Sequence, residues 1–213
     1  MTRIAVIGGT GYAGSHIVAE AVSRGHTVVS VARKVPAERI EGVTYVEGTI
    51  LDAPGLVAEL QGVEAIISAV SPRGDMAGTA VHGFLELAKE LEGSGIRLGV
   101  VGGTASSLSA PGGPRLIDLN FPEEYLAEAQ TGVDILEGLQ ATAPSLDWFL
   151  IHPAETFGVW NPGERTGTYR DGGDVVVRDE DGNSNISGPD LAVAFIDEIE
   201  TPKHHRARFT VGY

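Results

Sequence analysis

An apolar run, Ile4 to Ile7, stops abruptly at Gly8, Gly9, Thr10 and Gly11, and Tyr12 to Arg24 then carry a helical pattern. Gly9, Gly11 and Gly14 satisfy G-x-G-x-x-G, and Gly8, Gly11 and Gly14 satisfy the variant G-x-x-G-x-x-G. A short buried strand that turns through glycines into a helix is the first half of a β-α-β unit, the context in which this motif carries meaning. Glycine reaches positive φ for the tight turn. Lacking Cβ, it also lets a bulky anion lie against free amides at the positive end of the helix. A dinucleotide pyrophosphate suits that cradle; the alternative is a glycine-rich turn that holds nothing.

The rest of the chain repeats the rhythm. Strands are expected at Ile4 to Ile7, Thr27 to Val31, Thr44 to Glu47, Ala65 to Ser68, Leu98 to Val101 and Trp148 to Ile151. Most are continuous apolar runs, as in a parallel sheet covered by helices on both faces. Helical patterns lie between or after them at Tyr12 to Arg24, from Pro54, at Thr79 to Leu91, at Pro122 to Leu139 and at Ser187 to Glu200. The last has Ser187 or Asp190 as its N-cap. The predicted fold is α/β, a Rossmann-type doubly wound parallel sheet, as one domain over 1–213 with a small substrate region towards its end. Two segments interrupt it on the substrate side, about 102–121 and 161–187. The first is a Gly, Ser and Pro-rich loop; the second reads as turns with short antiparallel strands. Long ordered loops beyond strand ends are usual places for ligands in open α/β sheets.

Composition narrows the function classes. With 213 residues and 42% hydrophobic residues there is material for a core. No apolar run is long enough to span a bilayer, and no signal-peptide order precedes Gly8, so a cytoplasmic location and no membrane partner are expected. Cysteine is absent, which excludes disulfides, thiolate metal sites and a cysteine nucleophile. The six histidines make no metal spacing, and His204 and His205 read as solvated. A formal charge of -14 argues against nucleic acid, so any anion site must be local. The expected partner is a small-molecule substrate, and the chain is expected to be a monomer or a homodimer.

The end of the second strand separates the cofactors. NAD sites commonly place Asp or Glu there for the ribose 2′-hydroxyl. Here Ala32 is followed by Arg33 and Lys34. A guanidinium binds a 2′-phosphate bidentately and stacks on adenine, which favours NADP (NADPH) with NAD as the alternative. The competing reading is a solvated basic pair.

The fragments "GGTGYAG", "VARK", "ISAV", "VVGGTASSL", "LDWFLIHPAETF", "PGERTGTYRDGGD" and "RFTVGY" resemble the atypical short-chain dehydrogenase/reductase superfamily. Within it the chain is similar to the NADH-flavin reductase group, related to NmrA-like proteins and to flavin reductases of the biliverdin reductase B type. The resemblance implies a Rossmann domain with Gly8, Thr10, Gly11, Tyr12, Ala13 and Gly14 on the pyrophosphate. It implies Arg33 at the adenosine ribose, Ala69 and Val70 near the second ribose, and His152, Pro153 and Ala154 near the nicotinamide. The group often has Gly-Asp where this chain has Gly48 and Thr49, so the adenine contact falls to Thr49, to Asp52 or to neither.

Carbonyl-reducing members use Tyr-x-x-x-Lys, but Tyr125 is followed four residues on by Ala129. Tyr125 therefore reads more readily as a helix-packing residue than as a proton donor. A flavin acceptor asks mainly for stacking and orientation. Ser71 and Ser106, each just past a strand end, are the candidates to hydrogen-bond the substrate or the carboxamide; a local turn contact is the other reading of each. Glu164 and Arg165 form either a lid or a surface ion pair. The expected function is an NADPH-dependent reductase with flavin as substrate rather than a tightly bound group. A non-catalytic NADP-binding redox sensor and a carbonyl reductase or epimerase are the alternatives.

Overall fold

In the computed structural model, which describes residues Met1–Tyr213, the first strand β1 (Arg3–Ile7) lies third in an eight-stranded sheet. The chain passes through α1 (Tyr12–Ser23) to β2 (Thr27–Ala32) and β3 (Val43–Glu47) on one side. It then crosses by α2 (Ala53–Glu59) to β4 (Ala65–Ser68) on the other side of β1, and continues through α3 (Ala80–Glu90), β5 (Arg97–Val101), α4 (Leu126–Gln140) and β6 (Trp148–His152). The order is β3-β2-β1-β4-β5-β6-β8-β7, with β7 (Arg170–Asp171) and β8 (Ala207–Gly212) flanking the last helix α5 (Gly188–Glu200) in sequence. Every pairing is parallel except β7 with β8. The reversal at β1 and β4 opens a crevice above their carboxyl ends, where such sheets take ligands. No helix is long and apolar enough to cross a membrane.

Sidedness follows from the strand residues. Ala5, Ile7, Val29, Ile66 and Leu98 face one layer with Phe84, Leu87, Leu136 and Leu139. Ile4, Val6, Ile67, Phe149 and Ile151 face the other, with Ile17, Leu191, Phe195 and Phe209. Alternate residues of one strand thus feed two cores, which explains the unbroken apolar runs. Asp52 caps α2 through Gly55 N at 3.2 Å. Ser187, not Asp190, caps α5, with its Oγ accepting from Asp190 N at 3.1 Å.

The segment 161–187 differs from expectation. It holds one strand, the two-residue β7; elsewhere only isolated bridges occur, such as Leu108 with Val175 and Thr156 with Asn185. Side-chain bonds order it instead. Asp190, with 0% exposure, accepts from Thr166 N, Thr166 Oγ1, Gly167 N and the Tyr213 hydroxyl at 2.5–3.1 Å. Tyr213 N in turn donates to Asn185 O at 3.1 Å. One buried carboxylate thus joins the "ERTG" loop, α5 and the strand β8. Asp190→Ala would strand these donors, so urea unfolding should show a loss of roughly 3 kcal/mol. Tyr213→Phe, which leaves the carboxylate its other donors, should cost about 1 kcal/mol.

Candidate functional site

The site is built on the turn from β1 to α1. Gly8 has φ +78° and its amide, like that of Gly9, donates to Val31 O, at 2.9 and 3.1 Å. A Cβ on Gly8 would lie 2.9 Å from Ala69 O, and one on Gly14 would lie 2.1 Å from Gly8 O. The helix therefore starts in backbone contact with the strand end, a contact only glycine permits. Gly11 differs: its φ is -78°, and a Cβ there would meet only Gly8 O at 3.3 Å. The amides of Thr10, Tyr12, Ala13 and Gly14 find no acceptor within the chain, and α1 has no side-chain cap. Unpaired amides, a positive helix end and a surface cleared of side chains fit a pyrophosphate. The Tyr12 ring turns away from this cradle, packing on His16 and Phe157 at 5.1 and 5.4 Å between centroids, with its hydroxyl donating to Pro162 O.

Arg33 follows the end of β2 and is 64% exposed; its Nη1 donates to Asp75 Oδ2 at 2.5 Å. Lys34 beside it is exposed. Thr49 and Asp52 are both engaged as caps, Thr49 Oγ1 accepting from Leu51 N at 3.2 Å and Asp52 from Gly55 N. Ala69 N donates to Ile7 O at 2.8 Å, so Ala69 and Val70 continue β4 directly alongside the glycine turn.

At the carboxyl ends of β5 and β6 the chain brings two polar side chains together. Ser106 Oγ lies 3.2 Å from His152 Nε2, and each residue is 1% exposed. The His152 Nδ1 faces the backbone at Gly102 and Gly103. Burial, and after it the nearby Arg208 guanidinium, push the His152 imidazole down to about 3, so the ring is neutral at ordinary pH. Arg208 also donates to Ser106 O and to Asp174 Oδ1, the latter at 2.8 Å, and so holds the serine loop to β8. Pro153 and Ala154 are buried behind His152. Ser71 stands apart, exposed on the loop after β4 and without a hydrogen-bonded side chain.

Several expectations are corrected here. Tyr125 is half exposed, at 50%, immediately before α4, while Ala129 is 9% exposed inside it. Arg165 pairs with Glu20 of α1, at 2.9 and 3.1 Å, and not with Glu164; the partner is 7% exposed. His204 is not solvated: it is wedged between Glu198 and Asp171 at 2.8 and 3.0 Å and stacked on Phe209 at 3.8 Å. His205 is 62% exposed, at 3.0 Å from Asp147. Sequence reasoning missed Trp160, which is 68% exposed beside Val159 at 74%. They form the tip of a turn closed by Asn161 N to Gly158 O at 2.9 Å, and the Asn161 amide bonds Thr156 O and Asn185 Oδ1. The available signal was the Val159–Trp160 pair set directly before the turn residues Asn161, Pro162 and Gly163.

The sequence profile described as NAD(P)H-binding matches residues 8–202, from the first glycine of the cradle to just before β8. The chain belongs to this NAD(P)H-binding family. It is 35% identical to the uncharacterised Bacillus subtilis protein YwnB over 98% of this chain and 97% of that one. A Streptococcus pneumoniae structure, provisionally named an NADH-flavin reductase, superposes with TM-score 0.85 and 30% identity, covering 100% of this chain and 99% of the other. A Bacteroides thetaiotaomicron structure, provisionally named an epimerase, gives 0.87 and 34% over 100% and 97%. The atypical short-chain dehydrogenase/reductase resemblance and the Rossmann-type fold hold.

The glycine geometry makes a contrast that can be measured. Gly11→Val should fold with a near-native melting temperature yet bind reduced nicotinamide dinucleotide roughly tenfold or more weakly. Gly14→Val should fail to fold. Equal affinity in a folded Gly11→Val protein would remove the cradle assignment.

His152 gives a pH dependence. An unfolded histidine protonates near 6.5, whereas the buried ring resists until about 3. Its stabilising contribution is therefore complete above 6.5 and lost as pH falls towards 3, by roughly 1.4 kcal/mol per unit. Urea unfolding at about pH 7.5 and about pH 5.5 should show a shallower decline for His152→Asn than for the native chain.

Proposed function

We propose that this chain is an NADPH-dependent reductase that delivers hydride to a free flavin or a similar flat conjugated acceptor. The observation that carries the reading is the neutral, buried Ser106–His152 pair at the ends of β5 and β6. It can accept and donate hydrogen bonds, but it stores no acidic proton. A ketone needs a proton at its oxygen as hydride arrives. A conjugated ring takes hydride at a ring nitrogen and spreads the electron pair over its carbonyls, so a proton from water can follow.

When bound, the dinucleotide supplies hydride from the nicotinamide C4. The amides of Thr10, Tyr12, Ala13 and Gly14 hold the pyrophosphate, and Arg33 takes the 2′-phosphate that distinguishes NADPH. Ala69, Val70, Pro153 and Ala154 wall the nicotinamide riboside side, while Ser106 and His152 fix the polarity of its floor. Ser71, exposed at the rim, can hydrogen-bond an incoming acceptor. Trp160 supplies an aromatic face for a flat ring system, on a turn that Tyr12 and Asn161 hold in place.

A second reading is a non-catalytic NADP-binding sensor, favoured by the same exposed Val159–Trp160 tip serving as a protein contact. A carbonyl reductase or epimerase remains the third, and the name of the Bacteroides relative points that way. Loss of reduced-nicotinamide absorbance is the deciding measurement, with and without FMN, FAD or riboflavin, beside titrations of NADPH and NADH. Flavin-dependent oxidation that prefers NADPH is expected. Trp160→Ala should raise KM for the flavin roughly tenfold, the scale of one aromatic stacking contact, with NADPH affinity unchanged. Tight NADPH binding without turnover on any flavin would favour the sensor.

A further inference from the structure

Asp75 occupies the guanidinium that the cofactor reading assigns to phosphate. The Asp75 carboxylate, 85% exposed, meets Arg33 Nη1 at 2.5 Å although the two residues belong to different crossovers. Its position is set by a short turn, Gly74–Met76, whose Met76 side chain is 6% exposed and whose Met76 amide donates to Arg73 O at 3.2 Å. Arg73, two residues earlier, is directed elsewhere: its Nε donates to Glu128 Oε2 of α4 at 2.6 Å. The pair therefore spans the crevice between the loop after β2 and the loop after β4.

We propose that Asp75 is a specificity-determining residue that competes with the 2′-phosphate for Arg33 and so narrows the preference for NADPH over NADH. This rests on Arg33 as the 2′-phosphate ligand. A phosphate needs two parallel N–H groups of the guanidinium for a bidentate contact, and Asp75 holds one of those nitrogens. When phosphate displaces it, the carboxylate stays on its anchored turn as a nearby like charge. NADH brings a hydroxyl at that carbon, which neither displaces the carboxylate nor is repelled by it. Asp75 thus weakens one dinucleotide and leaves the other alone. Because the pair is exposed, the effect is modest and screened by salt.

The experiment is a titration of NADPH and NADH against the native chain, Asp75→Asn, Arg33→Met and the double variant, at low and at moderate salt. Asp75→Asn should tighten NADPH about fivefold at low salt and less at moderate salt, with NADH within about twofold. The gain should vanish in the double variant, since Asp75 acts through Arg33. If Arg33→Met weakens NADPH selectively while Asp75→Asn changes neither dinucleotide, or both alike, or keeps its effect without Arg33, the proposal falls and the Arg33 reading stands. If Arg33→Met weakens both dinucleotides equally, the reading beneath it falls as well.

Discussion

The rest of the structure depends on one backbone contact, the seating of Gly14 against the Gly8 carbonyl. There is no room for even a methyl group between them. That contact fixes where α1 leaves β1 and which amides remain unpaired, and it aims the helix along the sheet. It reaches further, because the opposite flank of α1 is equally tight: a Cβ on Gly188 would strike His16 and Tyr12. The start of α5 is thereby registered on the start of α1, and Asp190 and Ser187 hang the substrate-side loops from that point. The glycine turn and the loops 161–187 share one mechanical origin.

Much of this was legible locally. Strand β1, the glycine turn and the Arg33 position were read from adjacent residues whose chemistry is self-sufficient: apolar run, turn residue, helix start. Strand β8 was absent from the expected strands, although its residues were noted as a family fragment. The physical reason is Arg208 near its start and Thr210 further along, which leave no continuous apolar run. The Arg208 side chain is nonetheless satisfied, by Ser106 O and Asp174 from distant segments. His204 was misread for the same reason, since its burial depends on Glu198, Asp171 and Phe209 meeting around it. The Arg33–Asp75 and Arg165–Glu20 pairs likewise join residues far apart in the chain. Local pattern reveals where backbone goes; it does not reveal which charges will meet.

Charge is managed accordingly. In a chain of -14, most arginines are engaged by acids: Arg24 with Glu20, Asp197 and Glu200, Arg97 with Asp147 and Glu198, Arg178 with Glu155. The interior pair Arg97–Glu198, at 11% and 3% exposure, is further bonded by His204 and by backbone amides. Such saturation is what makes buried ions tolerable. At this net charge an anionic ligand is repelled at long range, so an anion site on this chain depends on local donors such as free backbone amides and exposed guanidinium groups.

The position of β8 between β6 and β7 orders events during synthesis. Strands β1 to β6 can assemble as each emerges, whereas β7 pairs only with β8, which is made later. Until then the segment Asn161–Ser187 has neither its strand partner nor the Tyr213 hydroxyl, and β6 presents a bare apolar edge. A nascent chain therefore completes its glycine turn well before it can order the loops 161–187, and that exposed edge is the part of the half-built sheet most prone to stick to its neighbours.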